Sequence, residues 1–570
     1  MAMIHLEAPK RQNNWPVWVA LTTLVVLVGF SCYLSVNRIY QVDEAQNIFM
    51  ATVVGRGQAS AYFTTAALWL LGPLAWLGRT SASSTDLFYW NRLIFLAIFW
   101  INTLLMALNT GVKWKSKHGL FALLAAATLA PFWDYGIEVR HDNLILLVLL
   151  LVWWLGRTRP RGTTSYVLIG ALIGFLQFAV FKAFVYWVPL CAALIAFPHP
   201  GHGRGRMRLT LAWCIGVLAA VVLCAGVYAS TGLWGVYLQG LRGGLEASGG
   251  GSRFGPWMAL SRLFIQAPLV TALALAALVC LGLDLRTHRR QALNWDGLAP
   301  EGLLLMGSLA ALCINPTPFP YNLINVVPFA FLLACRLLAK RGLRMLMRTR
   351  LLAVFASMVL VTHAAPFITN TWRHLEKDNE RQQSLMNLAE FLTDPMRDPV
   401  YDAVGMVPTR TTIHYRWYLH SLNIHMFLDD RRQSVSEMLR LHPATVLIPN
   451  YRTDWLSKED WAFIASRYVP LADDFWILGQ VLPAGGSAFE VVHPGRYQIM
   501  GATQKAMAAL QGGHLDGQEI SSSIVYLNAG PHQLTAPSQI RPAFFWVGPK
   551  AIQLPSLPQS HHLQLFTNWY

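Results

Sequence analysis

Two adjacent carboxylates, Asp43 and Glu44, stand just past the first long apolar stretch, in VDEAQNIFMATVVGRGQ (Val42 to Gln58). A carboxylate at such a membrane boundary can act as general base on an acceptor hydroxyl or amine. Partial desolvation raises its pKa toward the working range. A blander role competes: Asp43, directly before AQNIFMA, suits the N-cap of a helix. Capping accounts for neither the second acid nor the apolar surroundings.

A second cluster, EVRHD (Glu138–Asp142), packs four ionisable groups into five residues. It reads either as a solvated interface, or as a site where Arg140 or His141 meets an anionic head group while Asp142 orients a polar substrate. Lys182 lies in QFAVFKAFVYW, inside the apolar run Tyr166–Phe197. A lysine in hydrocarbon costs roughly 2.5–3.5 kcal/mol on insertion scales, so intramembrane charges are functional candidates by default. The run is too long for one helix. A turn is predicted near Lys182, which puts its ammonium at the same interface as the acid pair. There it either snorkels or contacts a phosphate. Two loops give weaker signals. GLRGGLEASGGGSRFG (Gly240–Gly255), with Arg242 and Arg253, is a linker or a candidate mobile lid, and no GK[ST] makes it a P-loop. NPTPFPYN (Asn315–Asn322) is a Pro-rich turn whose Tyr321 and Asn322 could line the same cavity.

The elements that must position these residues are membrane helices. The chain has 570 residues, 54% hydrophobic and 13% charged, with mean hydropathy +0.38. A soluble chain carries about 25% charged residues. The net charge of +16 sits in short loops between apolar segments. That is the topological charge bias of membrane proteins, and it argues against nucleic acid as a partner. A first helix is expected at Trp15–Val36. Further spans are expected at Leu87–Thr110, Gly119–Trp133, Asn143–Leu155, Tyr166–Phe181, Ala183–Phe197, Leu209–Ala229, Arg262–Leu283, Gly302–Ile314, Tyr321–Leu338 and Leu351–Phe367, about eleven in all. An amphipathic helix is expected over Asp43–Val54.

The connecting loops alternate. One set reads KWKSKH, RTRPRG, HGRGRMR, RTHRR and RLLAKRGLRMLMRTR; the other carries the acid pair, Asp134, Glu138, Asp142 and the Gly-rich and Pro-rich stretches. The basic set is expected in the cytoplasm. The acid pair then faces outward, and an odd number of spans puts the C-terminus outside too. This parity leaves out Thr64–Leu77, a short apolar stretch read as interfacial or re-entrant. The first apolar segment lacks a cleavage site and is read as a retained helix. All seven cysteines lie in or beside apolar segments, none beyond Cys335, so no disulfide is expected in the C-terminal part. No Cys/His cluster suggests a metal; a divalent cation stays open as a cofactor. The expected organisation is a polytopic α-helical membrane domain over 1–368, an extracytoplasmic α/β segment over 369–470 and an extracytoplasmic β-sandwich-like segment over 471–570.

An outward acid pair soon after the first span, followed by an amphipathic segment and a G-x-G turn (Gly55, Gly57), resembles the integral-membrane glycosyltransferases of the GT-C superfamily. The resemblance is to the protein mannosyltransferase and lipid A aminoarabinose transferase branch, whose sugar donor is a polyprenyl phosphate. It includes E-x-R-x-D at Glu138, Arg140 and Asp142, and Lys182 between two outer helix ends. It also includes PYNLINVVPFAFLLA (Pro320–Ala334), and DPVYDAVGM with HYRWYLH looks like the outer domain of related bacterial members. The chain departs from that pattern at AYFTTAALW (Ala61–Trp69), where a KPP-like or HHPP-like motif is expected. The resemblance implies inverting transfer of a sugar from a polyprenyl-phosphate donor to an envelope glycan, lipid or protein, at the outer face of the cytoplasmic membrane. It implies that Arg140 and Lys182 neutralise the donor phosphate, that Asp43 deprotonates or orients the acceptor, and that Glu44 assists or binds it. Two rival readings stand beside it. One is a transporter or flippase of lipid-linked sugars, since intramembrane charges also mark transport paths. The other is a non-catalytic scaffold whose β-sandwich binds glycan. Transporters usually show two related halves with paired broken helices, and none is read here.

Overall fold

The computed structural model describes residues 15–55, 83–112, 116–158, 163–197, 206–250, 255–287, 293–315, 318–342, 354, 358–413, 419, 434–501, 512–549 and 565–566. The expectations for Thr64–Leu77, Gly57 and Arg253, most of HYRWYLH and part of Leu351–Phe367 lie outside these residues.

The apolar run from Trp15 makes α1 (Trp15–Asn37), and the chain then turns into α2 (Val42–Gly55), whose first turn carries Asp43 and Glu44. A capping box on Ser83 starts α3 (Ser84–Asn109): its hydroxyl accepts from the Asp86 N–H, and the Asp86 carboxylate accepts from the Ser83 N–H. The expected span Gly119–Trp133 is two pieces, α4 (Lys117–Ala127) and α5 (Ala130–Gly136), the second starting on Pro131. Next come α6 (His141–Thr158), α7 (Thr163–Ala179) and α8 (Phe184–Ala196). The turn expected near Lys182 is a single 3-10 segment, Phe181–Ala183.

After α9 (Arg206–Ser230) the Gly-rich stretch departs from the expected loop, being helical in α10 (Trp234–Gly250) as far as Gly250. Each glycine costs about 1 kcal/mol in a helix. Aromatic packing near the start of α10 offsets this, with Tyr237 stacked on Phe178 at 4.4 Å and beside Tyr228 at 4.9 Å. The expected span Arg262–Leu283 is also two helices, α11 (Trp257–Gln266) and α12 (Pro268–Thr287). Pro268 can begin a helix but cannot continue one. The bundle closes with α13 (Ala299–Ile314), a 3-10 turn (Pro320–Asn325) and α14 (Val327–Leu337). Among the described residues, five helices are long and apolar enough to cross a membrane: Trp15–Asn37, Ser84–Asn109, Thr210–Ser230, Pro268–Thr287 and Pro320–Lys340. The chain is a multi-pass helical membrane protein with a β-rich C-terminal part.

Two helices, α15 (Ala365–Leu375) and α16 (Glu380–Leu392), stand where one was expected over Arg373–Leu392. Then β1 (Val400–Tyr401), α17 (Val435–Leu441), β2 (Val446–Leu447) and α18 (Lys458–Arg467) lead into β3 (Tyr468–Ala472), β4 (Phe475–Val481), β5 (Gly486–Val491), β6 (Gly495–Gly501), β7 (His514–Leu515), β8 (Gln518–Glu519), β9 (Ile524–Leu527), β10 (Gly530–Thr535) and β11 (Pro542–Trp546). One sheet has the order β1-β2-β4-β11-β6-β9 with β3 also on β4, and the other β5-β10-β7-β8. Among the described residues, only β1 and β2 pair in parallel. The first sheet takes strands from both sides of residue 470.

This C-terminal part is tied to the start of the chain. The Tyr40 N–H donates to Gln382 Oε1 (2.7 Å), Gln382 Nε2 donates to the Tyr40 carbonyl (3.1 Å), and the Asn379 N–H donates to the Asn37 carbonyl (3.0 Å). Ala45, Ile48 and Phe49 of α2 share one apolar core with Leu385, Tyr401 and Ile448.

Candidate active site

Glu44 is fully buried, and four donors fill its two oxygens. Arg92 Nε (3.0 Å) and the Val139 N–H (3.1 Å) reach Oε1; Arg92 Nη2 (2.6 Å) and the Gln41 N–H (2.9 Å) reach Oε2. Burial works against the charge, but Arg92 outweighs it and holds the carboxyl below its ordinary pKa. Arg92 also donates to the carbonyls of Arg38 (2.5 Å) and Ile39 (2.8 Å), closing the turn between α1 and α2. The expectation that Glu44 assists or binds an acceptor is therefore corrected: its acceptor positions are occupied, and it braces α2 against α3 and the loop before α6.

Asp43, one residue earlier on the helix, differs. Its side chain is 32% exposed, and its Oδ2 accepts from Arg140 Nη2 at 2.6 Å. Arg140 is itself buried. Its Nη1 stands 3.4 Å from Glu138 Oε2, its Nε 3.9 Å from Asp142 Oδ2, and its guanidinium carbon 3.6 Å from the centre of the Tyr321 ring. Lys182 Nζ donates to Asp142 Oδ1 at 2.8 Å and lies 5.8 Å from the same ring. Burial works against the Asp142 carboxylate, yet Lys182, His141 and Arg140 outweigh it and hold its pKa well below the usual range. Asn325 Nδ2 also lies 3.5 Å from Asp142 Oδ1. Glu138 pairs with Arg38, and burial pushes its carboxyl up to about 7 against the pull of Arg38 and Arg140.

Of the residues singled out in the sequence, Asp43, Arg140, His141, Asp142, Lys182 and Tyr321 come together. Burial, then the Lys182 charge, push the His141 imidazole down to about 4, so it is neutral at working pH and supplies no cation for a phosphate. Asn322 is corrected too. It is fully buried, its Oδ1 accepts from Asn315 (3.2 Å) and its Nδ2 donates to the Phe319 carbonyl (3.2 Å), so it fastens the Pro-rich turn. The sequence reading missed Arg92, although a charge inside LFYWNRLIFLAIF carries the same signal as Lys182. It also missed Arg38, and it missed that Asp134 accepts from Asn370 (2.9 Å) and Gln266 (3.3 Å) and pairs with His374 (3.1 Å). Among the described residues, no group of three or more His, Cys, Asp or Glu is arranged to hold a metal ion.

No family model matches the chain, and no curated protein matches it. Solved structures do. The helical arrangement, with α2 and its two acids between α1 and α3, belongs to a chain whose fold is similar to that of solved membrane-protein structures. The particular structures it is similar to are those of ArnT from Cupriavidus metallidurans. The form bound to undecaprenyl phosphate matches with TM-score 0.52 and 12% identity, over 82% of this chain and 98% of that one. The apo form matches with TM-score 0.50 and 14% identity, over 81% and 97%. An oligosaccharyltransferase of Archaeoglobus fulgidus, tethered with an acceptor peptide, overlaps at TM-score 0.48 with 12% identity, over 78% and 70%. At these identities the likeness is one of fold.

Proposed function

We propose that this protein transfers a sugar, with inversion, from a polyprenyl-phosphate donor to an acceptor of the cell envelope on the outer face of the cytoplasmic membrane. One observation carries the reading: Arg140, held by the partly exposed Asp43, and Lys182, held by the buried Asp142, come from separate segments and converge on the Tyr321 ring. The lipid bound in the ArnT structure is undecaprenyl phosphate, and two adjacent cations suit such a phosphate here. The alternation of basic and acidic loops supports the sidedness.

The prenyl chain of the donor lies among the apolar helices, and its phosphate reaches Arg140 and Lys182. At rest each cation is held by a carboxylate, Arg140 by Asp43 and Lys182 by Asp142. The phosphate oxygens compete for both, and Asp43 is released toward the acceptor. Asp43 then orients the acceptor X–H and takes its proton. The acceptor atom forms a bond to the anomeric carbon on the face opposite the phosphate as the bond from that carbon to the phosphate oxygen breaks. The electron pair leaves on the phosphate, where Arg140 and Lys182 stabilise the growing charge. With a phosphate as the nucleophile no proton needs removing, and Asp43 only orients it.

Purified protein in detergent, mixed with a lipid extract carrying polyprenyl-phosphate sugars and an envelope fraction, should release free polyprenyl phosphate as sugar appears on the envelope material. Uptake of intact lipid-linked sugar by vesicles, with no bond cleaved, would instead establish a transporter.

A further inference from the structure

A cavity of about 230 Å³ lies in the C-terminal part, where α17, α18, β4 and β5 meet, so two helices and both sheets build it. It shares no lining residue with the group around Asp43, Arg140 and Lys182. Phe463 of α18, Leu478 of β4 and Val492 just after β5 give it an apolar floor. Two cations, Arg440 and Arg467, and one acid, Glu490, supply its charge, a net +1. Tyr468 lines it too, but its hydroxyl donates to the Ala444 carbonyl (3.0 Å) and is spent there.

Each arginine stands in the last turn of its helix, where the helix dipole favours a cation. That accounts for their positions in the sequence but not for their convergence on one cavity. Arg440 is exposed, and among the described residues its side chain has no hydrogen bond or ion pair. Its guanidinium carbon rests 4.8 Å from the centre of the Phe463 ring. That contact steadies the guanidinium and leaves its N–H groups for a ligand. Arg467 Nη2 donates to Glu490 Oε2 at 3.1 Å, but the Glu490 side chain is 61% exposed, and such surface pairs contribute little. An incoming anion therefore displaces Glu490 from Arg467 at small cost.

We propose that this cavity binds one oxyanion carried on a ring-sized body, a sugar acid or a sugar phosphate. Its carboxylate or phosphate takes the N–H groups of Arg440 and Arg467, and its C–H face lies on the apolar floor. Size sets the limit: sites for drug-sized ligands run from about 300 Å³ upward, so a single ring fits here. The site is independent of the sugar-transfer reading and stands if that reading fails.

The test is titration calorimetry of the full chain in detergent with glucuronate, glucose 6-phosphate, glucose and inorganic phosphate. Wild type is compared with Arg440→Gln and Glu490→Gln. The readout is the part of the binding that depends on Arg440, because a phosphate also suits the Arg140 and Lys182 pair. Arg440→Gln should weaken binding of at least one of the two sugar anions about tenfold, and the anion more affected identifies the oxyanion. Arg440 is exposed, so the thermal midpoint without ligand should not move. Glu490→Gln, which frees Arg467, should tighten the same binding several-fold. Binding of both sugar anions indifferent to Arg440, or absent from wild type, would overturn the site. Arg440-dependent binding of glucose or inorganic phosphate as tight as that of the sugar anions would overturn the ligand class. Affinity unchanged or lower in Glu490→Gln would remove Arg467 from the clamp and overturn the two-cation assignment.

Discussion

Arg140 is held by three carboxylates at 2.6, 3.4 and 3.9 Å, and the middle one, Glu138, titrates near neutrality. Below its pKa of about 7 Glu138 is neutral, and the pocket carries one more net positive charge for a phosphate to meet. As pH rises through that value the new carboxylate competes with phosphate for Arg38 and Arg140. Undecaprenyl phosphate affinity should therefore contain a component that falls several-fold between about pH 6 and 8, absent in Glu138→Gln. The lipid's own phosphate titrates near pH 6 in both proteins, so the difference between them isolates Glu138. Identical pH profiles would remove Glu138 from the account. The charges that form the pocket were legible because each stands in or beside apolar sequence, where an unpaired ion is costly. Roles were less legible. Asp43 and Glu44 are neighbours in sequence, yet the turn of α2 leaves one partly exposed on Arg140 and buries the other on Arg92. That assignment depends on how α2 is rotated against α3, which two adjacent letters do not encode.

Among the elements, the crossing of α7 and α9 depends on glycine. A Cβ on Gly170 or Gly216 would run into the carbonyl of Trp213 or Val167 on the other helix. Small residues at such crossings let membrane helices approach closely. Gly170→Val should force them apart and lower the thermal midpoint in detergent, with an overpacking cost of about 1–3 kcal/mol. Gly226→Ala, where a Cβ would meet nothing within 4 Å, should leave the midpoint unchanged or slightly higher. Equal drops in both variants would contradict the crossing. Most helices were legible from apolar runs, and the turn at Lys182 from a run too long for one helix. The breaks at Pro131 and Pro268 were missed because apolar composition continues straight through them. The helix through Gly250 was missed for the opposite reason: glycine count speaks for a loop, while the packing of Tyr237 on Phe178 is visible only in three dimensions.

Across the whole molecule, the helical part and the β-rich part meet at the candidate site. Asp134 of α5, just ahead of the loop that supplies Arg140, is held by Asn370 and His374 of α15, and Gln382 of α16 grips Tyr40 just ahead of Asp43. Polar ties of this kind join residues hundreds of positions apart, so they left no local pattern to read, whereas the change from apolar to polar composition after Phe367 was plain. Arg140 sits between the proposed donor and Asp43, so loss of the Asp43 charge has opposite effects on chemistry and on binding. The most direct measurement is sugar transfer by Asp43→Asn beside wild type, read together with undecaprenyl phosphate affinity. Transfer should fall by at least about a hundredfold while the lipid binds as well or more tightly, because Arg140 has lost a competitor. Full turnover by Asp43→Asn would contradict the assignment of Asp43 as the residue that handles the acceptor.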